Sequence, residues 1–200
     1  AHQSDTIVFV DAVQYVAHGP VDVQNLGCDF LVCSPYKFFG PHQGVLWGKY
    51  ELLQKLESYK VRPADNMPPG KFETGTQSHE GQAGTLGVIE YLEWIGESMG
   101  KEYLQNFNEF NGRRKNLHAA MQAIQEYEKI LSERLISGLQ EFPDLQIAGI
   151  SNENHFSRRV PTVSFTVKNK NPEQIAQKLA DENIFVWHGH NYALEVVRLM

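Results

Sequence analysis

The chain has 200 residues, 42% of them hydrophobic and 21% charged, a balance that suits a globular protein and excludes a disordered one. Its formal net charge of -6 leaves no electrostatic footprint for nucleic acid. No apolar run approaches the ~18 residues needed to span a bilayer, which argues against a membrane protein. In chain order, Ile7 to Val10 (IVFV) is a continuous apolar run rich in β-branched residues, the pattern of a strand buried on both faces. DAVQYVAHGPVDVQNLG then predicts a turn or short helix and a second short element ending at Gly27. Phe30 to Cys33 (FLVC) is a second buried strand, and Gly44 to Gly48 (GVLWG) brackets a third. Buried strands joined by short crossovers predict an α/β sheet with a mainly parallel core.

Arg62 to Gly70 (RPADNMPPG) is a stiff loop. A helix is expected from Ser78 or His79 to Gly96. A longer one follows, with Leu117, Met121, Ile124, Leu131 and Leu135 at helical spacing, and stops near Gly138 with Pro143 just beyond. Leu145 to Ile150, Val160 to Val167 and Ile184 to Trp187 read as strands, and Asn171-Pro172-Glu173 starts a helix to about Asp181. The expected division is a large-domain part over residues 1–100, a connecting helix over 101–140 and a small α+β domain over 141–200. AHQSDTIVFVD has neither the basic start nor the apolar core of a signal peptide, and both ends read as cuts in a longer chain. The two cysteines, Cys28 and Cys33, are expected as buried thiols in a reducing cytoplasm, not as a disulfide.

The informative residues stand at strand ends. Asp11 directly follows IVFV and Gln14 lies three residues on, while Ser34, Tyr36 and Lys37 follow FLVC. Ligand groups gather at the carboxyl ends of strands in an open α/β sheet, so these five are expected to share a pocket. A pyridoxal-phosphate (PLP) site needs a partly desolvated lysine amine for a Schiff base and a carboxylate against the pyridine nitrogen. It also needs a hydrogen-bond donor facing the ring phenolate, and hydroxyls or N–H groups on the phosphate. Lys37, Asp11, Gln14 and Ser34 supply one of each.

The stretch VFVDAVQYVAHGPVDVQNLGCDFLVCSPYKFFGP resembles the cofactor-lysine segment of class V aminotransferase enzymes, above all cysteine desulfurases and their desulfurase-like relatives. The resemblance implies part of a fold type I large domain, a PLP cofactor and a small amino-acid substrate. It assigns Asp11 to the pyridine nitrogen, Gln14 to the phenolate oxygen, Lys37 to the aldimine and Ser34 to the phosphate, to which the Tyr36 hydroxyl can also donate. FETGTQSHEGQAG is similar to the family's F-E-x-G-T segment, whose threonine reaches the partner subunit's phosphate. This implies that Thr76, with Gly75 beside it, serves a homodimer with shared active sites. Family members are longer, so the resemblance also implies that residues preceding Ala1 and following Met200 complete the pocket.

Two departures bear on the reaction. Tyr36 stands where desulfurases commonly have a histidine, and a phenol does not shuttle protons near neutral pH. VWHGHNYALEV resembles the stretch in which one desulfurase branch carries a nucleophilic cysteine, yet Tyr192 holds that place. Without a thiolate there, elimination, transamination or epimerisation stands beside desulfuration, as does a non-catalytic PLP-fold protein. His188 or His190 is expected on the substrate side; no metal is expected, since no carboxylate or thiol cluster accompanies the pair. His18 could stand near the cofactor, but a structural histidine is expected.

Overall fold

The computed structural model describes residues 1–199; Met200, the last residue of the expected small domain, lies outside the described residues. The chain forms two compact units, Ala1–Glu126 and Tyr127 onward. The first holds β1 (Phe9–Asp11), α1 (Val23–Leu26), β2 (Phe30–Cys33), β3 (Val45–Gly48), α2 (Tyr50–Lys55) and α3 (His79–Ser98), and α4 (Gly112–Gln140) begins in it. Asp22 opens α1 by accepting from the N–H groups of Gln24 and Asn25, and Gly27 closes it at φ 64°. Ser78 opens α3 by accepting from the Gly81 N–H at 3.2 Å.

The sheet runs β1-β2-β3. β1 lies parallel to β2 with Asp11 opposite Val32, whereas β3 runs antiparallel with Val45 opposite Cys33. The mainly parallel sheet is therefore realised in only one of these two pairings. Connection length explains the difference. Residues 12–29 contain a turn and α1, enough for a crossover, while residues 34–44 contain one tight turn and return the chain alongside itself. Burial follows the same order: Phe30 and Leu31 of the central β2 are buried, but Phe9 is 58% and Leu46 55% exposed. The expectation of strands covered on both faces thus fails for β1 and β3, which stand at the edges.

Leu31, Ala12 and Cys28 form one small core with Val8, Val10 and Trp47 around them. A second core joins Phe38 to Val88, Leu92 and Ile95 of α3 and to Ala120 and Met121 of α4. α3 and α4 approach closely because Gly96 and Gly100 face the second helix: a Cβ at Gly96 would run into the Asn116 carbonyl, and one at Gly100 would sit 2.8 Å from that of Ala119. Two buried polar residues tie the edges. Asp29, next to β2, accepts from Lys49 Nζ at 2.6 Å, the Val8 N–H at 2.8 Å and His2 Nε2 at 2.8 Å. Lys71, after the proline-rich loop, donates to the carbonyls of Gln54 and Leu56 at 3.0 and 2.6 Å, capping the exit of α2.

The second unit pairs β4 (Leu145–Ala148) with β5 (Ser164–Val167), antiparallel, and adds α5 (Pro172–Asp181) and α6 (Leu194–Arg198). Ile136 and Phe156 are buried in it. Both strands are shorter than their apolar runs. Gly149, at φ 84°, ends β4. Arg159 then collects the carbonyls of Val160, Ile150 and Thr162 at 3.1, 2.6 and 2.6 Å, holding that backbone in a loop. Asn171 caps α5 by accepting from the Glu173 N–H, with Pro172 at its first position. Ile184 to Trp187 forms no strand, contrary to expectation. Among the described residues it has no pairing partner, and Phe185 and Trp187 are more than 80% exposed. No helix among the described residues is long and apolar enough to cross a membrane.

Gly96→Ala is expected to destabilise the protein by about 1–3 kcal/mol through helix–helix overpacking, read by denaturant unfolding. The Lys49 ammonium, the Val8 N–H and His2 hold the Asp29 carboxyl well below the usual carboxylate range. Its contribution is complete above the unfolded-state value of ~3.9 and declines as the pH falls below that. Hydrogen exchange in β1 is expected to quicken relative to β5 in this acid window. Asp29→Asn should remove the pH dependence.

Candidate functional site

The site is laid out by the ends of β1 and β2. The Ala12 N–H donates to the Val32 carbonyl at 2.9 Å, carrying the pairing one step past Asp11 and fixing this carboxylate beside the neighbouring strand end. Each strand then enters a single 3-10 turn, Tyr15–Ala17 after β1 and Pro35–Phe38 after β2, and the two turns lie against each other. Residues three apart share a side of such a turn. Pro35 and Phe38 are buried, so Tyr36 and Lys37 face outward, and Lys37 is exposed where partial desolvation was expected. Phe39 follows at φ 74°, a conformation rare for a bulky residue, and its ring meets Tyr91 of α3 edge-on at 5.6 Å. The Gly40 N–H closes the turn on the Pro35 carbonyl at 2.8 Å.

These turns bring the amine and the carboxamide together. Lys37 Nζ donates to Gln14 Oε1 at 3.5 Å, the long limit of a hydrogen bond, and lies 5.7 Å from the centre of the Tyr36 ring. Asp11 Oδ1 accepts from the Val13 N–H at 3.0 Å, which fixes the carboxylate on its own turn. Ser34 is half-buried at the entrance of the second turn, and its hydroxyl does not cap that turn. Gly75, at φ 81°, and Thr76 lie in the exposed loop before α3; among the described residues no bond ties them to Lys37. His188 and His190 belong to the second unit and are exposed; the Tyr192 N–H donates to His190 Nδ1 at 3.1 Å. Among the described residues no group of three or more His, Cys, Asp or Glu side chains could hold a metal ion.

Two histidines also stand by these groups: His18, expected as structural, and His42, which sequence reasoning had not placed. His18 Nε2 lies 3.3 Å from Gln14 Nε2, and the signal was their i, i+4 spacing across one turn. His42 stacks on Tyr36 at 5.1 Å with 16° between the rings, so an imidazole stands beside the Tyr36 phenol. The thiols offer little nucleophilicity. Cys28 is fully buried, and burial pushes the half-buried Cys33 thiol up, which disfavours thiolate.

The family model "Aminotransferase class-V" matches residues 1–112 and 115–199. A probable cysteine desulfurase of Streptomyces coelicolor is 31% identical over 98% of this chain and 43% of its own length. A cysteine desulfurase of Escherichia coli is 30% identical over 98% of this chain and 44% of its own length. The apo structure of a cysteine desulfurase from Thermococcus onnurineus NA1 superposes with a TM-score of 0.78 at 27% identity, covering 99% of this chain and 46% of that one. The chain thus spans less than half the length of the curated relatives it matches.

The Gly40 position tests how firmly this turn is held. A Cβ there would sit 2.7 Å from that of Pro35 and 2.9 Å from its carbonyl oxygen. Gly40→Ala is expected to cost about 1–3 kcal/mol in thermal unfolding and to loosen hydrogen exchange at Lys37 and residue 40.

Proposed function

Because the chain belongs to the aminotransferase class-V family, we propose that it carries the cofactor-lysine part of a PLP enzyme that acts on a small amino acid with desulfurase-like chemistry. The observation that carries this reading is the contact of Lys37 with Gln14 beside Asp11, built from two paired strand ends. The donor set fits the cofactor: an amine, a carboxylate, a carboxamide and a hydroxyl come from two adjoining turns. When bound, PLP would supply an electron sink for charge developing at the substrate α-carbon. Lys37 would hold it covalently and later move a proton at that carbon. Asp11 would keep the ring nitrogen protonated, and Gln14 would face the ring oxygen. Ser34, Tyr36 and the N–H groups of their turn would hold the phosphate.

Gly75 and Thr76 precede α3, whose entrance favours anions, and in this reading they reach the phosphate of a second subunit in a homodimer. His188 or His190 would act on the substrate side. Residues 1–100 would belong to the large domain, 101–140 would connect, and 141–200 would belong to the small domain. The unpaired Cys28 and Cys33 support a cytoplasmic setting.

A second reading, elimination, transamination or epimerisation without a persulfide, is favoured by one observation. Tyr192 is fully exposed at the place where one desulfurase branch has its cysteine, while Cys28 is buried and burial disfavours the thiolate of the half-buried Cys33. Borohydride reduction of the full-length protein followed by peptide mapping is expected to leave a pyridoxyl group on Lys37. An adduct on another lysine, or none, would overturn the assignment. Lys37→Arg should lower turnover by at least ~10²-fold. With L-cysteine as substrate and a thiol reductant to release persulfide sulfur, equal yields of alanine and sulfide support desulfuration, whereas turnover of other amino acids without sulfide supports the second reading.

A further inference from the structure

Resting on the cofactor reading above, we propose that His18 is a positioning residue that braces the Gln14 carboxamide in either orientation, its tautomer matching whichever amide atom faces Lys37. A lysine ammonium carries donors only, so the amide atom 3.5 Å from Lys37 Nζ must be the oxygen. The NH2 of Gln14 is then turned toward His18 Nε2, 3.3 Å away. An N–H can donate there only into a lone pair, so His18 Nε2 bears no proton and the imidazole proton sits on Nδ1. The backbone makes this a fixed arrangement. Gln14 and His18 bracket the same turn, Tyr15–Ala17, and the His18 N–H closes it on the Tyr15 carbonyl at 2.8 Å. The half-buried His18 adjoins the buried Gly19, where any Cβ would press into Tyr15 at 2.7 Å.

This geometry carries a consequence for loading. In the proposed site Gln14 meets a ring oxygen, which accepts, in place of an amine, which donates. The carboxamide must turn over to present its NH2, and its oxygen then swings to His18. His18 Nε2 must now donate, so the imidazole releases its Nδ1 proton to water and takes one at Nε2. One tautomer of His18 goes with each orientation of Gln14.

Nitrogen-15 NMR of the full-length protein, free of cofactor and then loaded with pyridoxal phosphate, tests the pairing. Nε2 is expected to lack a proton in the free protein and to carry one after loading, and Gln14→Leu is expected to abolish the change. A proton on Nε2 in the free protein, or a change that survives Gln14→Leu, overturns the proposal. His18→Phe should weaken pyridoxal phosphate binding about tenfold and shift the absorption band of the lysine-bound cofactor. His18→Gln, which can donate or accept at that point, should restore both. An unmoved band in His18→Phe, with the fold intact by circular dichroism, also overturns it. The two readings fail separately: absence of a pyridoxyl group on Lys37 sinks the cofactor assignment, while the free-protein tautomer and its loss in Gln14→Leu decide the role of His18.

Discussion

The arrangement at Lys37 depends on the burial of Pro35 and Phe38. These two side chains enter the core on one side of a four-residue turn, and the geometry of that turn then forces the residues between them outward. Burying a phenylalanine is worth roughly 1.5–3 kcal/mol, enough to offset the roughly 1–2 kcal/mol that a left-handed conformation costs the next residue, Phe39. The lysine itself contributes little to this balance. Its position is determined by neighbours that touch no ligand, so a change in the core would move the amine without altering any polar residue of the site.

The second determinant is strand pairing. Asp11 and Gln14 lie far from Lys37 in sequence, and only the parallel register of β1 on β2 brings the two turns side by side. Asp29 anchors that register from the opposite end of the strands, because its carboxylate binds the Val8 N–H just before β1. The acid that secures the sheet and the acid proposed to face the cofactor thus stand at opposite ends of the same strand pair. One is buried and fully engaged, the other exposed and bonded only locally in the described contacts.

Much of this was legible in the sequence. FLVC became the central strand, Ser78 and Asn171 capped the helices they were expected to open, and Gln14 met Lys37. The failures have specific causes. IVFV and GVLWG were read as covered on both faces because an apolar run records the hydrophobicity of a strand but not the presence of its neighbours. Ile184 to Trp187 has the composition of a strand, yet pairing requires a partner ladder that a local pattern does not encode. The shortened β4 and β5 trace to Arg159, whose guanidinium claims three carbonyls; nothing in its immediate sequence marks that role.

Lys71 and Lys37 show how one functional group is given two reactivities. The Lys71 nitrogen is enclosed, with its hydrogens aimed at the Gln54 and Leu56 carbonyls, and it lies 5.2 Å from the centre of the Phe72 ring. An aldehyde has no line of approach to it. Lys37 is exposed to solvent, and among the described residues its amine makes one long hydrogen bond, to Gln14. The fold thus withholds the Lys71 amine from any carbonyl reagent as a structural clamp, while it leaves that of Lys37 accessible.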